Sequence, residues 1–390
     1  MLKGSLSASI CNVSSLDILN LSHNNFTGVL PTCATSLNYS LWVFDLRMNN
    51  IEGNLPSTLS NFRELRYLNL HGNKLEGTIP LSFAEFHYLE VIDLGSNQLN
   101  DTFPQWLEDL QNLQVLILKS NKFHGVVNKT SRTEHPFPSL RIIDLSDNEF
   151  LGPLPAKYFR NFKAMMNGEV DKMEVSYMGS PYYGDTVSMV MKGVEIEFVR
   201  ILTIFTTIDL SRNKFEGEIP EYIGNLKSLR HLNLSNNHLS GHIPTLIGKL
   251  SMLESVDLSF NRLEGVIPQQ LTGMNFLSHL NLSQNNLSGH IPEGAQFNTF
   301  GNDSYAGNLR LCGSPMSKKC KREVSETQQE EDGDDDYFFS GFTWEFVVIG
   351  YGSGVVLGFV VGYMIFKVGQ TKCITGLGHK IRRVEIRKFL

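Results

Sequence analysis

The chain has no strong excess of either charge, none of the short motifs by which enzymes are read, and no leader-like start. Lys and Arg number 34 against 40 Asp and Glu, for a net charge of −6. Eight of the acids cluster in residues 323–336, and what precedes them is nearly neutral and carries no electrostatic footprint for nucleic acid. No G-x-S-x-G elbow, phosphate-binding glycine loop, kinase signature or His/Cys metal spacing occurs. Catalysis is therefore not expected, and neither a cofactor nor a metal is implied. Met1 to Asn12 lacks the apolar run of a secretory signal.

What the chain has in abundance is a repeat. The pattern LxxLxLxxNxLxGxIP, or a near relative, returns ten times, with its asparagine at Asn24, Asn49, Asn73, Asn97, Asn121, Asn148, Asn213, Asn237, Asn261 and Asn285. The steps stay close to 24 residues except for one of 65 after Asn148. Leu, Leu, Leu and Asn at fixed offsets and this period are the signature of a leucine-rich-repeat solenoid, an α/β right-handed superhelix with one short parallel strand per coil. Leu65, Leu68, Leu70 and Leu75 should point inward, because one coil alone cannot bury its apolar face. The asparagine amide should serve backbone groups of its own and the adjacent coil. Gly-x-Ile-Pro, as at Gly77 to Pro80, should give a tight bend and an extended stretch with few donors.

These features divide the chain. Leucine-rich repeats occupy residues 1–155, the first coil being partial. An insertion follows over 156–202, then four further repeats over 203–292, a cap over 293–322 and an acidic spacer over 323–345. An apolar segment over 346–366 and a basic tail over 367–390 complete it. The insertion exceeds a coil by about 41 residues and is rich in Tyr, Met and Gly, too apolar to leave solvated. Polar and apolar residues alternate in places from Thr186 to Phe198, as for a strand. Such an insertion either binds a partner, as Tyr and Met favour, or packs back on the solenoid.

Phe346 to Phe366 is 21 residues without a charge, enough for a helix of roughly 31 Å and one membrane crossing. Seven Lys and Arg after it place the C-terminus in the cytosol and the repeats outside, as a single-pass plasma-membrane protein. N-x-Ser/Thr sequons at Asn12, Asn20, Asn25, Asn38, Asn100, Asn128, Asn233, Asn281, Asn286 and Asn302 all precede the span and are candidate glycosylation sites. At Asn20, Asn233 and Asn281 the repeat's own "LNLS" explains the match equally well. Cys312 and Cys320 follow directly on the last coil, where a disulfide between them is expected to close a lid. Cys11 and Cys33 either bridge or stay free thiols. Cys373 is either an acylation site or an idle thiol.

The whole combination resembles plant leucine-rich-repeat receptor-like proteins: 24-residue coils ending in G-x-IP, an island ending "MVMKGVEIEFVRILTIFTTIDLS", four further coils, a "GNLRLCG" cap, an acidic spacer and a glycine-rich span. These are kinase-less surface receptors of the Cf disease-resistance type. The resemblance implies an extracellular peptide or protein ligand, microbial or apoplastic, and a role in defence. It also implies an adaptor receptor-like kinase packed on the membrane helix and a co-receptor kinase recruited by ligand. Gly350, Gly354, Gly358 and Gly362, spaced four apart, form one groove for such packing. The acidic spacer is either a solvated stalk or a contact for a basic segment of the adaptor.

Ligand contact is expected at the island edge, Tyr182, Tyr183, Lys192 and Gly193, and on the strand face, where Tyr67, Asn69, His71, Glu90, Val91, Asp93, Val115, Ile117, Lys119, Ile142, Asp144 and Asp147 should meet solvent. Co-receptor contact is expected at Arg230, His231, Glu254, Asp257, Phe260, His279 and Gln284. An enzyme-inhibiting repeat protein, a developmental peptide receptor and an inert fragment are the alternatives. Met1 to Asn12 reads as the second half of a coil, "KGSL" standing where "EGTIP" stands later, so the chain is expected to be part of a longer receptor.

Overall fold

The computed structural model describes residues 1–12, 16–32, 40–127, 133–166, 177–180, 183–191, 193–294 and 296–320. Cys33, Asn38, Asn128, Tyr182, Lys192 and everything from 321 onward, including the apolar span with its four spaced glycines and Cys373, lie outside the described residues. Among the described residues no helix is long and apolar enough to cross a membrane.

Each coil contributes one three-residue strand to a ten-stranded parallel sheet that runs from Ile18–Asn20 to His279–Asn281 in chain order. Inward leucines make the core behind it: Leu65, Leu68, Leu70 and Leu75 are fully buried, each contributing about 1.5–3 kcal/mol. Where the strand ends, the chain turns through a left-handed residue, such as Met48 or Ser96, into the ladder asparagine. Asn73 shows what that residue does. Its Nδ2 donates to Leu70 O of its own coil and Leu46 O of the previous one, both at 3.0 Å. Its Oδ1 accepts Ile51 N at 3.0 Å. Buried backbone groups that two curved strands leave over thus find partners.

Beyond the asparagine, and ahead of the Gly-x-Ile-Pro segment, the chain pairs a second time. Lys74–Gly77 and its equivalents form second parallel sheets of five, four and three strands, so their donors are used in pairing. Gly77 sits at φ +75° within that strand, a value only glycine adopts without cost. Prolines then start short 3-10 turns, such as Leu81–Glu85 after Pro80, where an absent N–H matters least.

The 65-residue step does not interrupt either sheet. Ile142–Asp144 pairs directly with Thr207–Asp209. Asn213 donates across the seam to Leu145 O at 2.9 Å and accepts Phe150 N at 3.0 Å. Phe123, Phe150 and Phe215 stack through it at 6.1 and 6.3 Å. Two boundaries differ from the reading by spacing. Residues 156–166 belong to the coil, not to the insertion: helices Ala156–Phe159 and Lys163–Met166 bury Tyr158, Phe159, Phe162 and Met165 in the main core. The asparagine ladder also has an eleventh rung in the cap, Asn308, which donates to Leu282 O at 2.9 Å and accepts Leu287 N at 2.9 Å. Arg310–Cys312 pairs with Asn286–His290, and Cys312 is disulfide-bonded to Cys320.

Candidate ligand-binding surface

The insertion returns onto the strand face. Val187–Met191 and Val194–Phe198 form an antiparallel hairpin with Gly193 at its turn. Met178, Val187, Met189 and Ile201 bury themselves against Val43, Tyr67, Val91, Val115, Ile117 and Ile142, making a second apolar core on the outside of the first sheet. Polar bonds fix its register. Tyr67 Oη donates to Thr186 O at 2.7 Å, and Asn69 Nδ2 donates to the same oxygen at 3.0 Å. Tyr183 Oη donates to Asp45 Oδ2 at 2.7 Å and accepts Asn20 Nδ2 at 3.2 Å, its ring 5.3 Å from that of Tyr67. Arg47, paired with Asp45, reaches Glu197 at 3.2 Å.

The strand-face expectation is therefore corrected. Tyr67, Asn69, His71, Val91, Asp93, Val115, Ile117, Lys119, Ile142 and Asp144 are buried rather than solvent-facing. The insertion covers the face, and the polar members have structural work besides. Asn69, Asp93 and Asp144 each accept the N–H two residues on, at 3.0, 2.9 and 3.0 Å, closing the turn that ends the strand. His71 Nδ1 lies 3.3 Å from Asp93. Glu90 is half-buried, Asp147 and Gly193 are exposed, and Tyr183 is half-buried. On the four coils beyond, Phe260 and Gln284 are exposed and Arg230, Glu254, Asp257 and His279 partly so, with Arg230 ion-paired to Glu254. His231 is buried, its ring 5.2 Å from that of Phe205.

Burial also shapes the charges. Asp45, Asp144 and Asp209 are pushed above the ordinary carboxyl range by desolvation, Asp209 to about 7 with the neighbouring Asp144 adding to it. Asp185, just ahead of the hairpin, is 3% exposed and raised to about 7 by burial and by Glu90. With Trp42, Arg66, Tyr67, Glu90 and Gly179 it lines a crevice of about 340 Å³ between insertion and strand face. The spacing had offered neither Asp185 nor Trp42 as a site residue.

Side-chain use separates the sequons. The Asn233 and Asn281 amides are spent on Asp209 and Asp257 at 3.0 and 3.3 Å, and Asn20 on Tyr183. Asn100, Asn286 and Asn302 are exposed. Glycopeptide mapping of secreted material is expected to find glycans at those three and none at Asn20, Asn233 or Asn281. Full occupancy of Asn233 would contradict the bonding seen at its amide.

Two family models match the chain: residues 14–75 match "Leucine rich repeat", and 88–110, 205–226, 228–250, 252–274 and 276–297 match "Leucine Rich Repeat". Receptor-like protein 35 of Arabidopsis thaliana is 41% identical over 97% of this chain, and Receptor-like protein 7 of the same plant is 52% identical over 93%. The chain spans only 40% and 38% of their lengths. Among solved structures, the ectodomain of the Arabidopsis receptor kinase HAESA, in complex with an extended IDA peptide hormone ligand, superposes with a TM-score of 0.58 at 28% identity. That likeness covers 83% of this chain and 50% of that one.

Proposed function

Since the chain belongs to the leucine-rich-repeat receptor-like proteins of plants, we propose that it is the ligand-recognising part of a cell-surface receptor in defence. It binds an extracellular peptide or protein and signals through partner receptor kinases. The observation that carries this reading is the docked insertion. A 41-residue excess that only lengthened a loop would need no private core, whereas this one buries Met178, Val187, Met189 and Ile201 to hold a shaped edge beside the strand face. Its neighbour in fold, HAESA, is solved with a peptide hormone. Ligand contact falls on the edge around Tyr183 and Gly193, on Asp147 and at the crevice between insertion and strand face, and not on the other buried strand residues. The partly exposed row from Arg230 to Gln284 stays open for a co-receptor.

Anchoring rests on residues 346–366 as one membrane helix, with an adaptor kinase packed on Gly350, Gly354, Gly358 and Gly362. Leucine at Gly354 and Gly358 fills a groove that needs close backbone approach. The full chain, epitope-tagged in leaf cells, is expected to co-purify a receptor kinase, and G354L with G358L to reduce recovery about tenfold. Recovery of no kinase from the unaltered chain overturns the signalling reading. Undiminished recovery from the double variant overturns the groove.

A further inference from the structure

Within the ligand site proposed above, on which this inference rests, we propose that the crevice at Asp185 is a subsite for a cationic group: an arginine or lysine side chain, or the amino terminus, of a peptide ligand. The Asp185 carboxylate is buried and has no hydrogen-bond or ion-pair partner among the described residues, while Glu90, Arg66 and Tyr67 beside it are engaged elsewhere. Glu90 holds Arg66 at 3.1 Å and Gln114 at 3.4 Å, and Tyr67 holds Thr186. Thr186 is anchored twice to the strand face, which fixes the preceding residue and aims its carboxylate into the cavity. Gly179 makes room for it: a Cβ there would lie 2.5 Å from Asp185 Oδ2.

An isolated buried carboxylate is costly unless something pairs with it. With Arg66 counted against Glu90, the crevice keeps one uncompensated negative charge. Trp42 and Tyr67 form aromatic walls, surfaces that favour a desolvated cation over a neutral group of the same shape. A guanidinium or ammonium entering from the open side would take the place that no residue of this chain fills.

The test titrates the full chain in detergent with N-acetyl-arginine methylamide and with its neutral isostere N-acetyl-citrulline methylamide, reading saturation-transfer NMR. The arginine probe should bind about tenfold more tightly than the citrulline probe at pH 8, and less tightly at pH 5, where Asp185 takes up a proton. D185N should abolish that preference while raising the melting temperature at pH 8, so loss of binding is not loss of fold. G179A, which displaces the carboxylate, should weaken the preference without removing the charge. Equal binding of the two probes, or an unchanged preference in D185N, overturns the subsite. Kinase co-purification does not pass through Asp185, so failure here leaves the receptor reading standing, and failure there leaves the probe preference measurable but removes its receptor role.

Discussion

Asn213→Leu is expected to split the unfolding of the solenoid into two transitions and to destabilise it by about 3–6 kcal/mol. The side chain is buried and nearly the size of leucine, so little packing changes. What changes is the bonding: Phe150 N loses its acceptor, and the carbonyls of Leu145, Leu210 and Ser211 lose a donor at 2.9, 3.3 and 3.0 Å. Each buried group left without a partner costs about 1–3 kcal/mol. Every ladder asparagine makes such bonds, but this one makes them where adjacent coils are 65 residues apart in sequence. Solenoid stability is a sum of coil and nearest-neighbour terms, so a weakened seam uncouples the coils before it from the four after it. Urea denaturation followed by hydrogen exchange should show one block opening first, while Asn261→Leu, inside the regular coils, lowers stability without separating the blocks. A single transition for Asn213→Leu, shifted no further than for Asn261→Leu, contradicts a special role for the seam.

Spacing revealed the solenoid because the repeat is a mechanical constraint: each inward leucine and each asparagine must occur once per coil or the stack fails. Asn308 escaped because the cap keeps the asparagine but not the leucine pattern before it. The buried strand face escaped for a different reason. Strand alternation alone makes its positions solvent-facing, yet Val43, Val91, Val115, Ile117 and Ile142 are apolar at the outward positions. Their equivalents after the insertion are Thr207, His231, Ser255 and His279. A strand apolar on both faces is one covered on both faces. That change of composition at the seam marks how far the insertion reaches, and it stands in the sequence. The direction of Asp185 does not, since it follows from Thr186 meeting Tyr67 and Asn69 across more than a hundred residues.

Acid should stabilise this protein and mild alkali weaken it. Asp185 has its folded value raised from 3.8 to about 7, and Asp209 behaves alike with Asp144 as its register partner on the next strand. A carboxyl whose folded value lies above its unfolded value binds its proton more tightly in the native state. Its stabilisation is therefore fully present below the unfolded value and is lost as pH rises through about 7. For Asp185 the loss is on the order of 4 kcal/mol across that window. Melting temperature should fall between about pH 4 and pH 7 and level off above, with D185N flattening the fall and raising the value at the alkaline end. D209N should flatten it less cleanly, because its amide oxygen can still accept Ser211 N, held at 2.9 Å, while the amide nitrogen that replaces the second oxygen cannot accept Asn233 Nδ2, held at 3.0 Å. A melting temperature that is flat or rising over that range contradicts the burial of an ionised Asp185. The same carboxylate thus sets two quantities in opposite directions: raising pH creates the charge that would hold a cation and costs the fold that presents it. A cationic ligand should therefore stabilise the protein more at pH 8 than at pH 5.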